Sequence, residues 1–380
     1  MKGILQNLFL SLAALLVCAL LVEGFFRVLG RARGARGSEA TGPTAEHYRF
    51  TGYHPLLGYD GLPNVSARFH GQTVSQNGKG NRGEDVPFDK PAGVRRVVVI
   101  GDSQAWGYGV GDADTIPARL ALRLNEGGAA RYQVVNLGVG GYGTDQAVLK
   151  FLAQGRRYAP DVVVLTVFKN DPVENEHTVA WGVEKPRFYI EDGRLCLGNV
   201  PPFRAPGWPN NRLLADRERG WRVPFTSIDL ARSATVRFFA DREWLPSLLA
   251  KGDGGEMALV RRAIDCVGNR DAYAGDGLQI LGRLAAELKR ITAGDGARLV
   301  LLLVPKTKEM EDPGLPAYYE PLLAGFRAQG IPFVELRRHL AGEGAAAFLP
   351  NDPHLSPLGS AAAASALYEC LMKAGDVCDA

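Results

Sequence analysis

Apolar and polar positions follow two different periods along this chain, and segments with one period alternate with segments with the other. Short runs rich in Val, Ile and Leu indicate buried strands, and longer segments with apolar residues three and four apart indicate amphipathic helices. The strands are predicted at 96–100, 132–135, 162–168, 298–304 and 332–336, and the helices at 117–126, 145–157, 278–293, 315–329 and 357–373. Because alternating strands and helices pair in parallel through right-handed crossovers, we predict a three-layer α/β/α sandwich around a central parallel sheet.

Two stretches interrupt this alternation. Residues 30–94 have no apolar period: a linker rich in Arg, Gly and Ala leads into a turn-rich lead-in, residues 47–94, which we expect to pack onto the domain at 95–380. Residues 172–276 are rich in Pro, Trp and Arg and exceed an ordinary loop, which predicts an insertion or lid over the cleft. Its tryptophans would supply a sugar-stacking surface or fill a small local core: Trp181, Trp208, Trp221 and Trp244.

Residues 1–29 form a separate unit. The chain is almost wholly apolar from Leu8 to Val22, and the stretch 4–29 is long enough to cross a bilayer as one helix. A cleaved signal peptide is the alternative, but no convincing small-x-small cleavage site follows the apolar run. We therefore predict an uncleaved single-pass anchor in the cell inner membrane, with the body in the periplasm or outside the cell. The arginines at 27, 31, 33 and 36 favour the opposite orientation.

Net charge and cysteine content limit the classes of partner and the cellular compartments that we expect for this protein. The formal net charge is only +3, which provides no field of the size that nucleic-acid binding needs. Cys370 and Cys378 have a spacing that can close a small disulfide loop, leaving Cys196 and Cys266 as a second pair. Such pairs would indicate an oxidising compartment, and buried free thiols are the alternative. Since no Cys-x-x-Cys spacing occurs, we do not expect zinc. We expect no other metal and no cofactor.

The first predicted strand stops abruptly on Gly101-Asp102-Ser103. Ligands of open α/β sheets bind beyond the carboxyl ends of the strands, so Ser103 stands where a nucleophile would act. Serine is also a favoured residue at the start of a helix, and that role is the alternative.

A glycine loop, residues 136–145, follows the second strand. Several glycines after a strand allow backbone N–H groups to point into a cleft. Gly138, Gly140 and Gly143 also fit a dinucleotide-binding spacing, but the strand at 162–168 ends on Lys169-Asn170 and not on the acidic residue that would hold a ribose.

Two further segments carry groups that a serine nucleophile requires. Asn170 ends the third strand, where its side-chain amide can donate to a developing oxyanion, although Asn-Asp pairs also cap helices. Near the C-terminus, His354 lies two residues after Asp352, which offers a base and a carboxylate to orient it.

Together these segments resemble the SGNH (GDSL-type) hydrolase family, in its membrane-anchored bacterial form, from about residue 95 to residue 370. The resemblance implies that Ser103 is the nucleophile, that His354 and Asp352 complete the triad, and that Ser103, Gly141 and Asn170 form the oxyanion hole. Many members space the last pair as Asp-x-x-His, and Asn351 holds that position here. We expect Asp352 to act nevertheless. The implied fold is a flavodoxin-like sandwich.

The expected activity is that of a serine esterase that removes acyl groups, mainly acetyl, from an envelope or exported carbohydrate or from a small ester. An O-acyltransferase on the same substrates is the alternative, because a sugar hydroxyl can replace water. Two non-enzymatic alternatives also exist: a glycan-binding module of the same fold, and a structural component of a polysaccharide-assembly complex. Expected partners are the substrate, the membrane and such assembly proteins, but not nucleic acid.

Overall fold

The structure of the protein is a computed structural model. It describes residues 49–54, 56–128, 131–180, 183–191, 193–199, 266–267, 277–312 and 314–372, together with Cys18, Leu21 and Cys378.

The strands and helices follow the alternation expected from the sequence. The strands are β1 Thr51–His54, β2 Gly58–Gly61, β3 Val65–Phe69, β4 Gln72–Gln76, β5 Val94–Ile100, β6 Arg131–Asn136, β7 Val162–Val167, β8 Val179–Ala180, β9 Val183–Glu184, β10 Arg187–Glu191, β11 Arg194–Gly198, β12 Cys266–Val267, β13 Arg298–Leu303 and β14 Phe333–Glu335. The helices are α1 Ser103–Trp106, α2 Ile116–Asn125, α3 Thr144–Ala153, α4 Asp171–Glu176, α5 Gly277–Gly294, α6 Thr307–Glu311, α7 Glu320–Ala328, α8 Leu336–His339 and α9 Pro357–Met372.

A five-stranded parallel sheet forms the centre, in the order β14-β13-β7-β5-β6. Counted along the chain, this is the flavodoxin-like order, in which the chain changes direction between its first and third strands. Those strands are β5 and β7. Ligands of such sheets bind at this switch point, and Ser103 and Asn170 each follow one of the two strands.

Strands β5, β7 and β13 are buried on both faces of the sheet, which explains their continuous apolar runs. Along β5, Val98 and Ile100 join a core with α3, α5 and α7, whereas Val97 and Val99 join a core with α2 and α9. This arrangement confirms the predicted three-layer α/β/α sandwich. Helix α7 begins later than expected, because Pro321 lacks the N–H that a helix interior needs and is tolerated only in the first turn.

The lead-in consists of two hairpins, β1–β2 and β3–β4, and a turn-rich segment, and it packs onto the sandwich. Arg82 is buried and donates to the carbonyls of Trp106 and Val110 at 3.0 and 2.6 Å and to that of Gly107. Its Nε donates to Asp112 at 2.9 Å. Because these bonds satisfy carbonyls of the loop after α1, the lead-in supports the loop that follows Ser103.

The start of the insertion is fixed to the glycine loop by a fully buried ion pair. Lys185 Nζ contacts Asp145 Oδ2 at the first turn of α3, and neither side chain is exposed. Removing one partner of such a pair leaves an uncompensated buried charge. Loss of either residue would therefore destabilise the contact between the insertion and the glycine loop. The four tryptophans of the insertion lie outside the described residues.

A disulfide joins Cys370, on α9, to Cys378, with Cα atoms 4.9 Å apart, as the spacing predicted. Cys196 on β11 is also disulfide-bonded, and Cys266 is its neighbour in the backbone register between β11 and β12.

Within the described residues, no helix has the length and apolar character to cross a membrane. The predicted anchor, apart from Cys18 and Leu21, lies outside them.

Candidate active site

Ser103 is presented by a tight turn between β5 and α1. Gly101 has φ 147°, and a Cβ at this position would lie 2.2 Å from Thr166 Oγ1, so only glycine fits. Asp102, and not Ser103, caps the helix, because its Oδ1 accepts a hydrogen bond from the Gln104 N–H at 2.9 Å. The capping role considered for Ser103 is therefore filled by its neighbour.

Three side chains form a continuous series of hydrogen bonds across 251 residues of sequence. Ser103 Oγ lies 2.7 Å from His354 Nε2, and His354 Nδ1 lies 2.6 Å from Asp352 Oδ1. A carboxylate can only accept, so Nδ1 carries the proton and Nε2 accepts from the Ser103 hydroxyl. The alternative acceptor for that hydroxyl, Asp102 Oδ2, is more distant at 3.4 Å.

The loop before α9 places Asp352 beside His354 and leaves Asn351 exposed. Asp352 Oδ1 also accepts the His354 backbone N–H at 2.9 Å. Partial burial acts to raise the pKa of Asp352, but the two hydrogen bonds from His354, its charge interaction with His354 and a weaker one with His70 hold that pKa below its usual value. Asn351 is exposed and has φ 57°. The structure thus brings Asp352 and His354 together, and among the described residues no hydrogen bond joins Asn351 to the imidazole.

Gln104 links the turn at Ser103 to the histidine loop. Its Nε2 donates to the Pro353 carbonyl at 3.3 Å, and its Oε1 accepts the Leu355 N–H at 3.2 Å. One buried amide thus binds the backbone on both sides of His354. Sequence reasoning missed this residue, because nothing local to Gln104 indicates a partner 249 residues away.

An aromatic ring covers the imidazole. Tyr108 stacks on His354 with ring centroids 4.1 Å apart and planes 22° apart. Phe69 and His70, at the tip of the β3–β4 hairpin, pack against Tyr108 at 5.1 and 4.8 Å. The lead-in therefore reaches the site through this hairpin, which sequence reasoning did not place there.

The glycine loop lies against α1. The Val139 N–H donates to the Gly101 carbonyl at 3.1 Å, and Asn136 Oδ1 accepts the Gly138 N–H at 2.9 Å. A Cβ on Gly138 would lie 2.3 Å from the Trp106 nitrogen, and one on Gly143 would meet side chains at 2.8–2.9 Å. Close packing against protein atoms thus accounts for two of the glycines in the dinucleotide-like spacing.

Three donors lie on the elements around Ser103. The N–H groups of Ser103 and Gly141 have no acceptor among the residues that the structure describes. Asn170 immediately precedes α4 and makes no side-chain capping bond, and its Nδ2 lies 3.5 Å from the Tyr142 carbonyl, beside Gly141. Its buried Oδ1 has no hydrogen-bond partner. Asn170 therefore does not serve as the helix cap that the Asn-Asp pair suggested as an alternative.

Buried carboxyl groups surround the site. Burial raises the pKa of Asp102 to about 6, although the hydrogen bond from the Gln104 N–H acts to lower it. Burial, together with the charge of Asp102, also raises the pKa of Asp171. In the described part of the chain, no three His, Cys, Asp or Glu side chains are placed to hold a metal ion.

A family model described as "GDSL-like Lipase/Acylhydrolase family" matches residues 99–362. No curated protein matches. Among solved structures, the chain is similar to TesA, with 13% identity, a TM-score of 0.39, and coverage of 73% of this chain and 98% of that one. It is also similar to Axe2, an acetylxylan esterase from Geobacillus stearothermophilus, with 12% identity, a TM-score of 0.39, and coverage of 74% and 95%. A third is LAE5, an alpha/beta hydrolase enzyme from the metagenome of Lake Arreo, with 12% identity, a TM-score of 0.38, and coverage of 74% and 96%.

Proposed function

The chain belongs to the GDSL-like lipase/acylhydrolase family, that of the SGNH hydrolases, and we propose that it is a serine esterase acting through an acyl-enzyme. The family gives the general activity, which is the hydrolysis of acyl esters. The observation that most supports the finer proposal is the series of hydrogen bonds from Ser103 through His354 to Asp352, at 2.7 and 2.6 Å.

In the first step, the Ser103 hydroxyl attacks the ester carbonyl while His354 Nε2 removes its proton. The carboxylate of Asp352 holds the imidazole in the tautomer with the proton on Nδ1 and stabilises the imidazolium that forms. His354 then donates the proton to the leaving alcohol, which departs and leaves the acyl group on Ser103. Gln104 and Tyr108 hold the imidazole in place during both transfers.

The negative charge of the tetrahedral intermediate collects on the former carbonyl oxygen. The N–H groups of Ser103 and Gly141 and the Asn170 amide are proposed to donate to this oxygen. One such donor contributes about 3 kcal/mol of transition-state stabilisation. Water, activated by His354, then attacks the acyl-enzyme and releases the acid, and Ser103 recovers its proton.

We propose an acylated, mainly acetylated, carbohydrate of the cell envelope or an exported polysaccharide as the substrate. The support is the expected anchor at 4–29 and the aromatic insertion, which would place the site near such polymers. A sugar hydroxyl that takes the place of water in the second step would give O-acyl transfer by the same residues.

A substrate panel tests this proposal. The full chain, purified in detergent, would be given p-nitrophenyl acetate, longer p-nitrophenyl esters and acetylated oligosaccharides, and acetate release and transfer to added sugars would be measured. We expect the acetylated sugars, followed by acetate release, to be hydrolysed faster than the longer esters, followed by p-nitrophenol release. Failure to turn over any ester, together with failure of a fluorophosphonate to label Ser103, would contradict it.

Asn170→Ala is expected to lower kcat about 100- to 1000-fold, because one donor to the oxyanion is lost. Steady-state kinetics on p-nitrophenyl acetate measure this change. Because Asn170 makes no capping bond, the melting temperature should change little. A change confined to KM would show that Asn170 only positions the substrate.

The body of the chain is proposed to lie outside the inner membrane, and the Cys370–Cys378 disulfide supports an oxidising compartment. Mass mapping without reduction, on protein trapped with a thiol-blocking reagent in its native cells, should find this linkage. Fully blocked thiols at both positions would contradict the proposed location and favour the orientation that the arginines at 27–36 suggest.

A further inference from the structure

We propose that Tyr59, in the lead-in, is a positioning residue for the oxyanion hole. Its hydroxyl donates to the Gly140 carbonyl at 3.2 Å and so fixes the peptide group that carries the Gly141 N–H. The inference rests on the proposed function, because it assigns a role within the same site.

The argument begins with the geometry of one peptide group. The carbonyl of Gly140 and the N–H of Gly141 belong to the same planar trans unit, in which the oxygen and the hydrogen point in opposite directions. Since the carbonyl is directed at Tyr59, the N–H is directed away from it. That N–H has no acceptor among the described residues, which leaves it available to a substrate oxygen.

The loop needs such a restraint because of its own sequence. Gly141 has φ 78°, in the left-handed region, and it follows another glycine. A Gly-Gly peptide has little steric preference between its two orientations, because no Cβ flanks it on either side. In the reversed orientation the carbonyl oxygen, which repels an oxyanion, would replace the N–H donor. Hydrogen-bond donors stabilise an oxyanion best when they are oriented toward it before the reaction. By holding the Gly141 N–H in that orientation, the Tyr59 hydroxyl raises kcat.

Tyr59 is itself held rigidly. Its side chain is 1% exposed, and its backbone carbonyl accepts the Tyr142 hydroxyl at 2.6 Å. The two rings pack edge to face with centroids 5.2 Å apart. The neighbouring residue, Asp60, forms an ion pair with Lys150 of α3. Tyr59 thus contacts the middle of the glycine loop at two points, Gly140 and Tyr142, which restricts the movement of its hydroxyl away from the Gly140 carbonyl.

Because Tyr59 lies in the lead-in, it is this segment that restrains the Gly140–Gly141 peptide. The family match begins at residue 99, forty residues after Tyr59. The domain that carries Ser103, Asn170 and His354 thus receives this restraint from a segment outside the matched region.

Tyr59→Phe tests the inference, because it removes the hydroxyl and keeps the ring that packs on Tyr142. With p-nitrophenyl acetate and the full chain, kcat is expected to fall about 10- to 100-fold, while KM stays within about twofold. This decrease is smaller than the one expected when an oxyanion donor is removed altogether. The matched control is Tyr319→Phe, since Tyr319 is equally buried and its hydroxyl has no hydrogen-bond partner. The control is expected to keep the parental kcat.

A pair of inhibitors separates this role from a general structural one. A trifluoromethyl ketone forms a charged adduct with Ser103 and needs the oxyanion donors, whereas the corresponding uncharged alcohol binds without that charge. Tyr59→Phe should weaken the ketone about 10- to 100-fold more than the alcohol. Parental kcat in Tyr59→Phe, or equal weakening of both ligands, would overturn the inference and leave the esterase intact. Absence of turnover in the parental chain would instead overturn the proposed function.

Discussion

Ser103→Ala is expected to reduce ester turnover by about 10⁶-fold, the scale observed when a serine nucleophile is removed from a triad. The effect is large because no neighbouring group can replace the hydroxyl: Asp102 lies behind it as a helix cap, and His354 then has nothing to deprotonate. The substitution deletes one partly exposed oxygen and leaves α1, its cap and the Gln104 contacts unchanged. The melting temperature should therefore be nearly that of the parental chain.

Two measurements check this result. Turnover of p-nitrophenyl acetate gives the loss of activity, and intact mass after treatment with a fluorophosphonate gives covalent labelling, which should occur in the parental chain and not in the variant. Ser66→Ala is the control, because Ser66 is exposed on β3 and its hydroxyl forms a hydrogen bond with that of Ser75, also in the lead-in. Substantial turnover by Ser103→Ala, free of contaminating esterase, would show that another residue is the nucleophile.

The sequence predicted the sheet well because its signal is local. Strands β5, β7 and β13 each contain an apolar run that is buried on both faces, so their positions can be recognised without knowledge of their partners. Ser103, Asn170 and His354 could be predicted as candidate site residues for the same reason, since each lies beside a local pattern at a strand end or before a helix.

The supporting contacts could not be predicted, because they join distant segments. Gln104 and Tyr59 belong to no motif in the sequence, and their contacts form only once the histidine loop and the glycine loop are folded beside them. Arg82 similarly lies in a segment whose sequence indicates only turns, yet its buried guanidinium donates to carbonyls at the end of α1 and in the following loop. Periodicity identifies which residues are buried in regular elements, but it carries no information about which loops meet.

The short spacing between Asp352 and His354 gives the last prediction. Asp352→Asn is expected to lower kcat by about 10⁴-fold with the fold intact, because an amide presents the wrong hydrogen-bonding group to Nδ1 and carries no charge to stabilise the imidazolium. The backbone supports this choice of residue. Pro353 biases Asp352 toward an extended conformation, and the carboxylate then accepts both the ring and the backbone N–H of His354.

The matched variant is Asn351→Gly, since Asn351 has φ 57° and an alanine there would add backbone strain of about 1–2 kcal/mol. Asn351 is exposed, so its replacement should leave kcat within about twofold of the parental value, well below the cost of losing a triad carboxylate. Steady-state kinetics and melting temperatures of both variants provide the comparison. A larger loss of kcat in Asn351→Gly than in Asp352→Asn would mean that the Asp-x-x-His position still orients the base. In that case the 2.6 Å contact between Asp352 and His354 would not be the catalytic one.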